Sequence, residues 1–195
     1  MSLKKPSSSR PSAGELKCAW GTTLPDVIGL DCKILFCGIN PGLYTAATGL
    51  HFARPGNRFW PALNLAGLTP GLLEPHQQAV LPDLGMGITN LVPQATRTAQ
   101  ELTSLQITEG LARLRSLVAH HNPKLLAVLG ITVFRQALGR KNLAEGLLTE
   151  SWGTTKIWLL PNPSGLNAHL KLADFAGSLN SLAISAGLPI RPHVQ

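Results

Sequence analysis

The chain has 195 residues, 44% of them hydrophobic and only 14% charged, which excludes a disordered polymer and fits one domain with a single substantial core. Its apolar runs are far shorter than the roughly twenty residues a membrane span requires. Net charge is +7 with only ten acids; so basic a chain attracts polyanions, nucleic acid most often, although a high isoelectric point alone does not prove such a partner.

Residues 1–24 carry Lys4, Lys5 and Arg10 among Ser, Pro and Gly, with no apolar core of the kind a secretory signal needs. They are expected to form a disordered basic tail ahead of one domain over 25–195. Cys18, Cys32 and Cys37 match neither a zinc ribbon nor a disulfide framework. Cys37, inside an apolar run, reads as a small core residue. The expected compartment is reducing and intracellular, the cytoplasm in a bacterium.

Strands are predicted at 33–39, 86–92, 124–130 and 156–161. The first, third and fourth are nearly continuous apolar runs, as in strands covered on both faces of a parallel sheet. Helical patterns lie between them. Asn57 is a candidate cap for a helix through Phe59, Trp60, Leu63 and Leu65 that ends at Gly67. Residues 108–121 put Leu111, Leu114, Leu117 and Val118 on one face, with Thr108 as the expected cap. Gly130 and Gly139 bracket a short helix, and 170–186 places Phe175, Leu179, Leu182 and Ala186 on one stripe before Gly187 and Pro189. The fold class is therefore α/β, a three-layer sandwich with a central, mainly parallel sheet flanked by helices.

Three strands run directly into unusual loops: Asn40-Pro41-Gly42, Thr89-Asn90-Leu91 and Asn162-Pro163-Ser164-Gly165-Leu166. In open α/β sheets ligands bind beyond the carboxyl ends of the strands, so these loops should converge. The loops are not nucleotide clamps: Gly38-Ile39-Asn40-Pro41-Gly42 lacks the dinucleotide glycine spacing, and no Gly-Lys-Ser/Thr follows. No Gly-x-Ser-x-Gly elbow occurs, Ser164 has no evident His-Asp pair, and the six His show no metal-ligand spacing. What remains is a set of neutral amides. Asn40, Asn90 and Asn162 each offer donor and acceptor, suited to the edge of a planar heterocycle whose face Phe52 could stack on. Leu166, at the tip of a turn, is badly placed for solvent but well placed to wedge into a base stack. Taken singly, Asn40-Pro41 is an ordinary turn and Trp60 is core; Arg58 reads equally as a phosphate contact or as half of a structural ion pair.

Together the segments Gly38-Ile39-Asn40-Pro41-Gly42, Thr48-Gly49, Phe52-Ala53 and Asn57-Arg58-Phe59-Trp60 closely resemble the first motif of the mismatch-specific uracil-DNA glycosylases, the Mug/thymine-DNA-glycosylase branch of the uracil-DNA glycosylase superfamily. Gly87 to Val92 resembles the middle motif, and Leu160 to Leu166 the minor-groove wedge. The resemblance implies an enzyme that flips uracil, or a modified pyrimidine opposite guanine, out of duplex DNA and hydrolyses the N-glycosidic bond. By position, Asn40 would orient the attacking water. Ile39 and Asn90 would address the pyrimidine edge, Thr45 its 5-position and Phe52 its face. Leu166 would fill the vacated stack, with Gly165 near the opposite guanine and Asn162 and Ser164 fixing the loop or a phosphate. His169 and Lys171, beside the wedge, are candidate phosphate contacts.

Two departures stand out. Where the family often has an arginine two residues after the wedge leucine, this chain has Ala168. Other branches carry an Asp where this chain has Asn40, and an amide cannot take a proton from water. Asp83, the acid nearest a motif in sequence, is a candidate assisting carboxylate; the alternative is a loop acid capping a turn. The competing function is a catalytically weak DNA-lesion binder. An RNA- or single-strand-binding module is disfavoured because Tyr44 is the only tyrosine and no aromatic platform is evident. The resemblance implies a monomer acting on double-stranded DNA, with no metal or cofactor and no membrane.

Overall fold

The structure is a computed structural model of the chain, and it describes residues 10–192. In chain order its elements are α1 (Ala13–Cys18), β1 (Ile34–Gly38), α2 (Leu43–Thr48), α3 (Phe59–Leu65), β2 (Met86–Asn90), α4 (Ser104–His121), β3 (Leu125–Leu129), α5 (Ile131–Ala137), β4 (Gly146–Trp152), β5 (Thr155–Leu160) and α6 (Leu172–Ala186). The five strands form one sheet in the order β2-β1-β3-β5-β4. The first four are parallel, and β4 closes the edge antiparallel to β5.

The side-chain alternation of β1 builds both outer layers. Ile34 and Phe36 join Phe59, Leu63, Phe175 and Leu182 in a core beneath α3 and α6. Leu35 and Cys37 point the other way and pack with Leu114, Val118 and Phe134 of α4 and α5. Full burial of such side chains contributes about 1.5–3 kcal/mol each, and both faces of β1, β2 and β3 are covered. This is the expected three-layer sandwich. The chain steps from β1 outward to β2 and then back across to β3, so strand order reverses beside β1, the position at which open α/β sheets form a crevice.

Three expectations are corrected. The tail assigned to 1–24 is ordered over its second half; residues 1–9 lie outside the described residues. Ser12 and Glu15 form a reciprocal capping box at the start of α1, Ala19 and Leu24 are buried, and Thr23 bridges Gln94. The α4 helix starts earlier than expected, capped by Thr103 through a box with Gln106, whereas the Thr108 hydroxyl donates to the Ser104 carbonyl one turn back. The β4 strand was not anticipated. Its residues alternate between half-buried and exposed, as an edge strand's do, so it lacks the continuous apolar run that marks its neighbours.

Candidate active site

The loops after β1, β2 and β5 converge as expected, around a cavity of about 430 Å³ at the carboxyl end of the sheet. Ile39, Asn40, Thr45, Phe52, Asn90, Asn162, Ser164 and Leu166 all line it. It shares Ile39, Ala99, Gln100, Asn162 and Asn167 with a neighbouring cavity of about 610 Å³ toward α5.

Asn40 is held by its nitrogen. Its Nδ2 donates to Thr96 Oγ1 at 2.7 Å and to the carbonyls of Gln94 and Pro41, each at 3.3 Å. Thr96 in turn donates to the Thr98 carbonyl at 2.7 Å, so its hydroxyl proton is committed and its lone pair faces Asn40. Carbonyls only accept, which fixes the amide's orientation. The Oδ1 oxygen has no partner among the described residues and remains as an acceptor.

Asn90 ends β2 and is 5% exposed. Its Nδ2 is buried without a hydrogen-bond partner among the described residues, an arrangement that costs about 1–3 kcal/mol unless a ligand supplies an acceptor. Beside it Gly38 ends β1, where a Cβ would lie 2.6 Å from Asn90 Oδ1. Only glycine leaves room for that amide.

Phe52 adopts φ 54°, a region bulky residues rarely enter, at a cost on the order of 1–3 kcal/mol. Packing holds it there. Its ring stacks on Phe59 at 4.2 Å, while the preceding His51 is tied down on three sides. The His51 amide donates to Gln78 Oε1, its carbonyl accepts from Trp60 Nε1, and its Nε2 faces the Pro25 carbonyl at 2.9 Å. Because a carbonyl faces Nε2, that nitrogen carries the proton. Burial pushes the imidazole below its ordinary range, against the opposing pull of the Pro25 carbonyl and Asp26. His51 is thus a neutral wall of the cavity.

The Leu166 turn is braced by hydrogen bonds although Leu166 itself is 73% exposed. Asn162 Oδ1 accepts from the Ser164 amide at 3.0 Å, Ser164 Oγ from the Leu166 amide at 3.3 Å, and Asn167 Nδ2 donates to the Asn162 carbonyl. Among the described residues Arg58 pairs with no acid. It binds the Ser164 carbonyl at 2.9 Å, and its backbone amide binds the Pro163 carbonyl. A Cβ on Gly165 would sit 2.8 Å from the Gly56 carbonyl, so the turn leans on the loop before α3. His169 and Lys171 follow on the same exposed rim.

The family model for the uracil DNA glycosylase superfamily matches residues 25–183. The chain belongs to that superfamily. It is accordingly a DNA N-glycosylase, a hydrolase of base-excision repair whose macromolecular partner is DNA.

Asp83 does not line this cavity. It sits in a 3₁₀ turn at Pro82–Leu84, ahead of β2, while Asn90 ends the same strand. The strand alone separates them by about 13 Å at roughly 3.3 Å per residue. Asp83 opens instead onto a cavity at the opposite end of the sheet, together with Asp31, Lys33 and Lys124. Among the described residues no carboxylate lines the 430 Å³ cavity. Residues that sequence reasoning missed are Thr96 and Gln94, which hold Asn40, and His51, Arg54 and Arg97, which line the cavity. The polar run Gln94-Ala95-Thr96-Arg97-Thr98 after the second motif was the available signal.

Proposed function

We propose that this glycosylase belongs to the mismatch-specific branch of its superfamily and removes uracil, and related modified pyrimidines opposite guanine, to leave an abasic site. The observation that carries the reading is the pair of oppositely committed amides. Asn40 is clamped through its nitrogen and offers an oxygen; Asn90 is buried and offers an unpartnered N–H. An acceptor-only oxygen suits a water molecule, accepting a hydrogen bond from it and leaving a water lone pair free to attack. An unsatisfied donor suits a pyrimidine carbonyl oxygen.

The chemistry needs little more. As the C1′–N1 bond breaks, its electron pair moves onto the pyrimidine, and a preorganised donor such as Asn90 stabilises the charge where it develops. Water adds to C1′ and its surplus proton passes to solvent. A pyrimidine anion bearing two carbonyls is a good leaving group, so a site with no acid in its lining can proceed without a general base, at a rate lower by about the 10²–10⁴-fold such a base contributes. Phe52 supplies a stacking surface, Thr45 faces the base within the cavity, and Leu166 is the wedge that fills the gap in the duplex.

Single-turnover excision from a G·U duplex tests this, read as alkali-labile product. Asn40→Ala is expected to lower the rate by about 10²–10³-fold, the effect of removing one preorganised polar group at a reacting centre, with little loss of duplex affinity. Tight binding by the wild type with no product would support a lesion-binding protein instead. Activity that depends on a chelatable metal would also count against this mechanism.

A further inference from the structure

The superfamily match starts at residue 25, yet the segment that crosses this boundary touches the first and middle motifs and the loop that follows the middle one. Residues 21–24 pair with the loop that clamps Asn40: the Gly21 amide donates to the Ala95 carbonyl and the Ala95 amide to the Thr22 carbonyl, both at 2.8 Å, and the Leu24 amide donates to the Pro93 carbonyl. Pro25 receives His51 Nε2. Val27 exchanges both backbone hydrogen bonds with Ile88, at 2.9 and 2.7 Å. Between them, Asp26 Oδ1 accepts from Thr89 Oγ1 at 2.6 Å and Oδ2 pairs with Arg113. Arg113, from α4, donates through Nη1 to the Asn90 carbonyl at 3.1 Å.

We propose that residues 21–27 form a positioning strap for the glycosylase site, with the Asp26–Arg113 pair at its centre holding the end of β2 so that the Asn90 amide meets the pyrimidine edge. The proposal rests on the role given to Asn90 above. Neither Asp26 nor Arg113 lines the cavity, so both act through Asn90 and not on the substrate. The side chain of Asn90 goes where its backbone goes, and that backbone is fixed by a guanidinium fork that addresses three acceptors: Asp26 Oδ2, Thr89 Oγ1 and the Asn90 carbonyl. Hydrogen bonds from a charged donor are about twice as strong as neutral ones. A lysine, a single point charge, cannot reproduce the fork.

A double-mutant cycle on uracil excision from a G·U duplex, run where circular dichroism shows every variant folded, tests the strap. Asp26→Ala is expected to lower single-turnover excision about tenfold with unchanged affinity for undamaged duplex, and Asn90→Ala about 10²-fold. The double variant should then match Asn90→Ala within twofold, because the strap has nothing left to position. A merely structural Asp26 would lose its tenfold in both backgrounds, and that additivity would overturn the proposal. So would an Arg113→Lys enzyme as active as wild type. If Asp26→Ala does not fold, Thr89→Val removes one arm of the same network and should show the same loss of effect in the Asn90→Ala background. An unimpaired Asn90→Ala would remove the base-reading role itself; an impaired Asn90→Ala beside an unimpaired Asp26→Ala would remove only the strap.

Discussion

The two ends of the sheet carry different chemistry. At the amino end of the strands lies the larger cavity, about 870 Å³, with Asp31, Lys33, Asp83, Lys124 and Arg191 around it. At the carboxyl end lies a cavity about half as large, whose lining holds five asparagines, a neutral histidine and two rim arginines but no acid. The larger opening has charges that solvent satisfies easily. The smaller one has an acceptor locked in place on Asn40 and a donor on Asn90 that nothing among the described residues satisfies. Size therefore does not choose the site. Unsatisfied, immobilised polar groups do, because only a ligand repays their desolvation.

Equivalent steric insults at the two ends offer the strongest way to break this comparison. Gly38→Ala would place a Cβ 2.6 Å from Asn90 Oδ1, and Gly29→Ala would place one 2.9 Å from Pro82 Cβ at the far end. Both should lower thermal stability. Only Gly38→Ala should lower excision by the folded enzyme, by about 10²-fold, the scale of a displaced transition-state donor. Equal kinetic losses from both would mean that the contrast between the ends has no functional content.

Leu166→Ala should come next. Its exposed tip contributes nothing to the core, so stability should change by less than about 0.5 kcal/mol, as at other exposed positions. Excision from duplex should fall by about tenfold, because an unfilled stack lets the extruded base return. The same variant acting on single-stranded uracil DNA has no stack to fill and should match wild type. Equal losses on both substrates would deny Leu166 the wedge role.

A smaller effect should distinguish the ends by pH. His51 is buried and neutral in the folded state, with its pKa depressed. Above about pH 6.5 the imidazole is neutral in both folded and unfolded chains and contributes no pH dependence. As pH falls below that value the unfolded chain takes up a proton that the folded chain resists, so stability declines with acidification. The midpoint of thermal unfolding should fall by about 2–4 °C for each kcal/mol so lost between pH 7.5 and 5.5, with Asp26 the nearest compensating charge. His51→Phe should flatten the difference. A slope unchanged in His51→Phe would assign the acid lability to other groups.

The carboxyl end was legible in the sequence because its groups sit within a few residues of apolar strands: Ile39 and Asn40 directly follow β1, Asn90 ends β2, and Asn162 follows β5 by one residue. Strand, turn and amide share one short window, and topology then brings the windows together. The clamp on Asn40 was not legible, since Thr96 lies 56 residues away and nothing local marks it as a partner. The strap was missed because Ser, Pro and Gly near the amino terminus resemble a disordered tail in composition. The Ser12-Glu15 capping box was written there nonetheless. The edge strand β4 failed for a different reason: it is half-solvated, and its alternation is weaker evidence than an unbroken apolar run.

Asp83 shows how sequence proximity misleads, and it yields the smallest expected effect. It stands seven residues before Asn90, close enough on paper to serve the same site, but those residues include a whole strand that carries the chain from one end of the sheet to the other. Its carboxylate is exposed in a turn beside Lys33 and Lys124, where substitution disturbs neither core nor cavity. Asp83→Asn should therefore leave single-turnover excision within twofold of wild type and stability within about 0.5 kcal/mol. A tenfold loss in that variant would require the two ends to communicate, and it would reinstate a carboxylate in the mechanism proposed above for a cavity whose lining holds none.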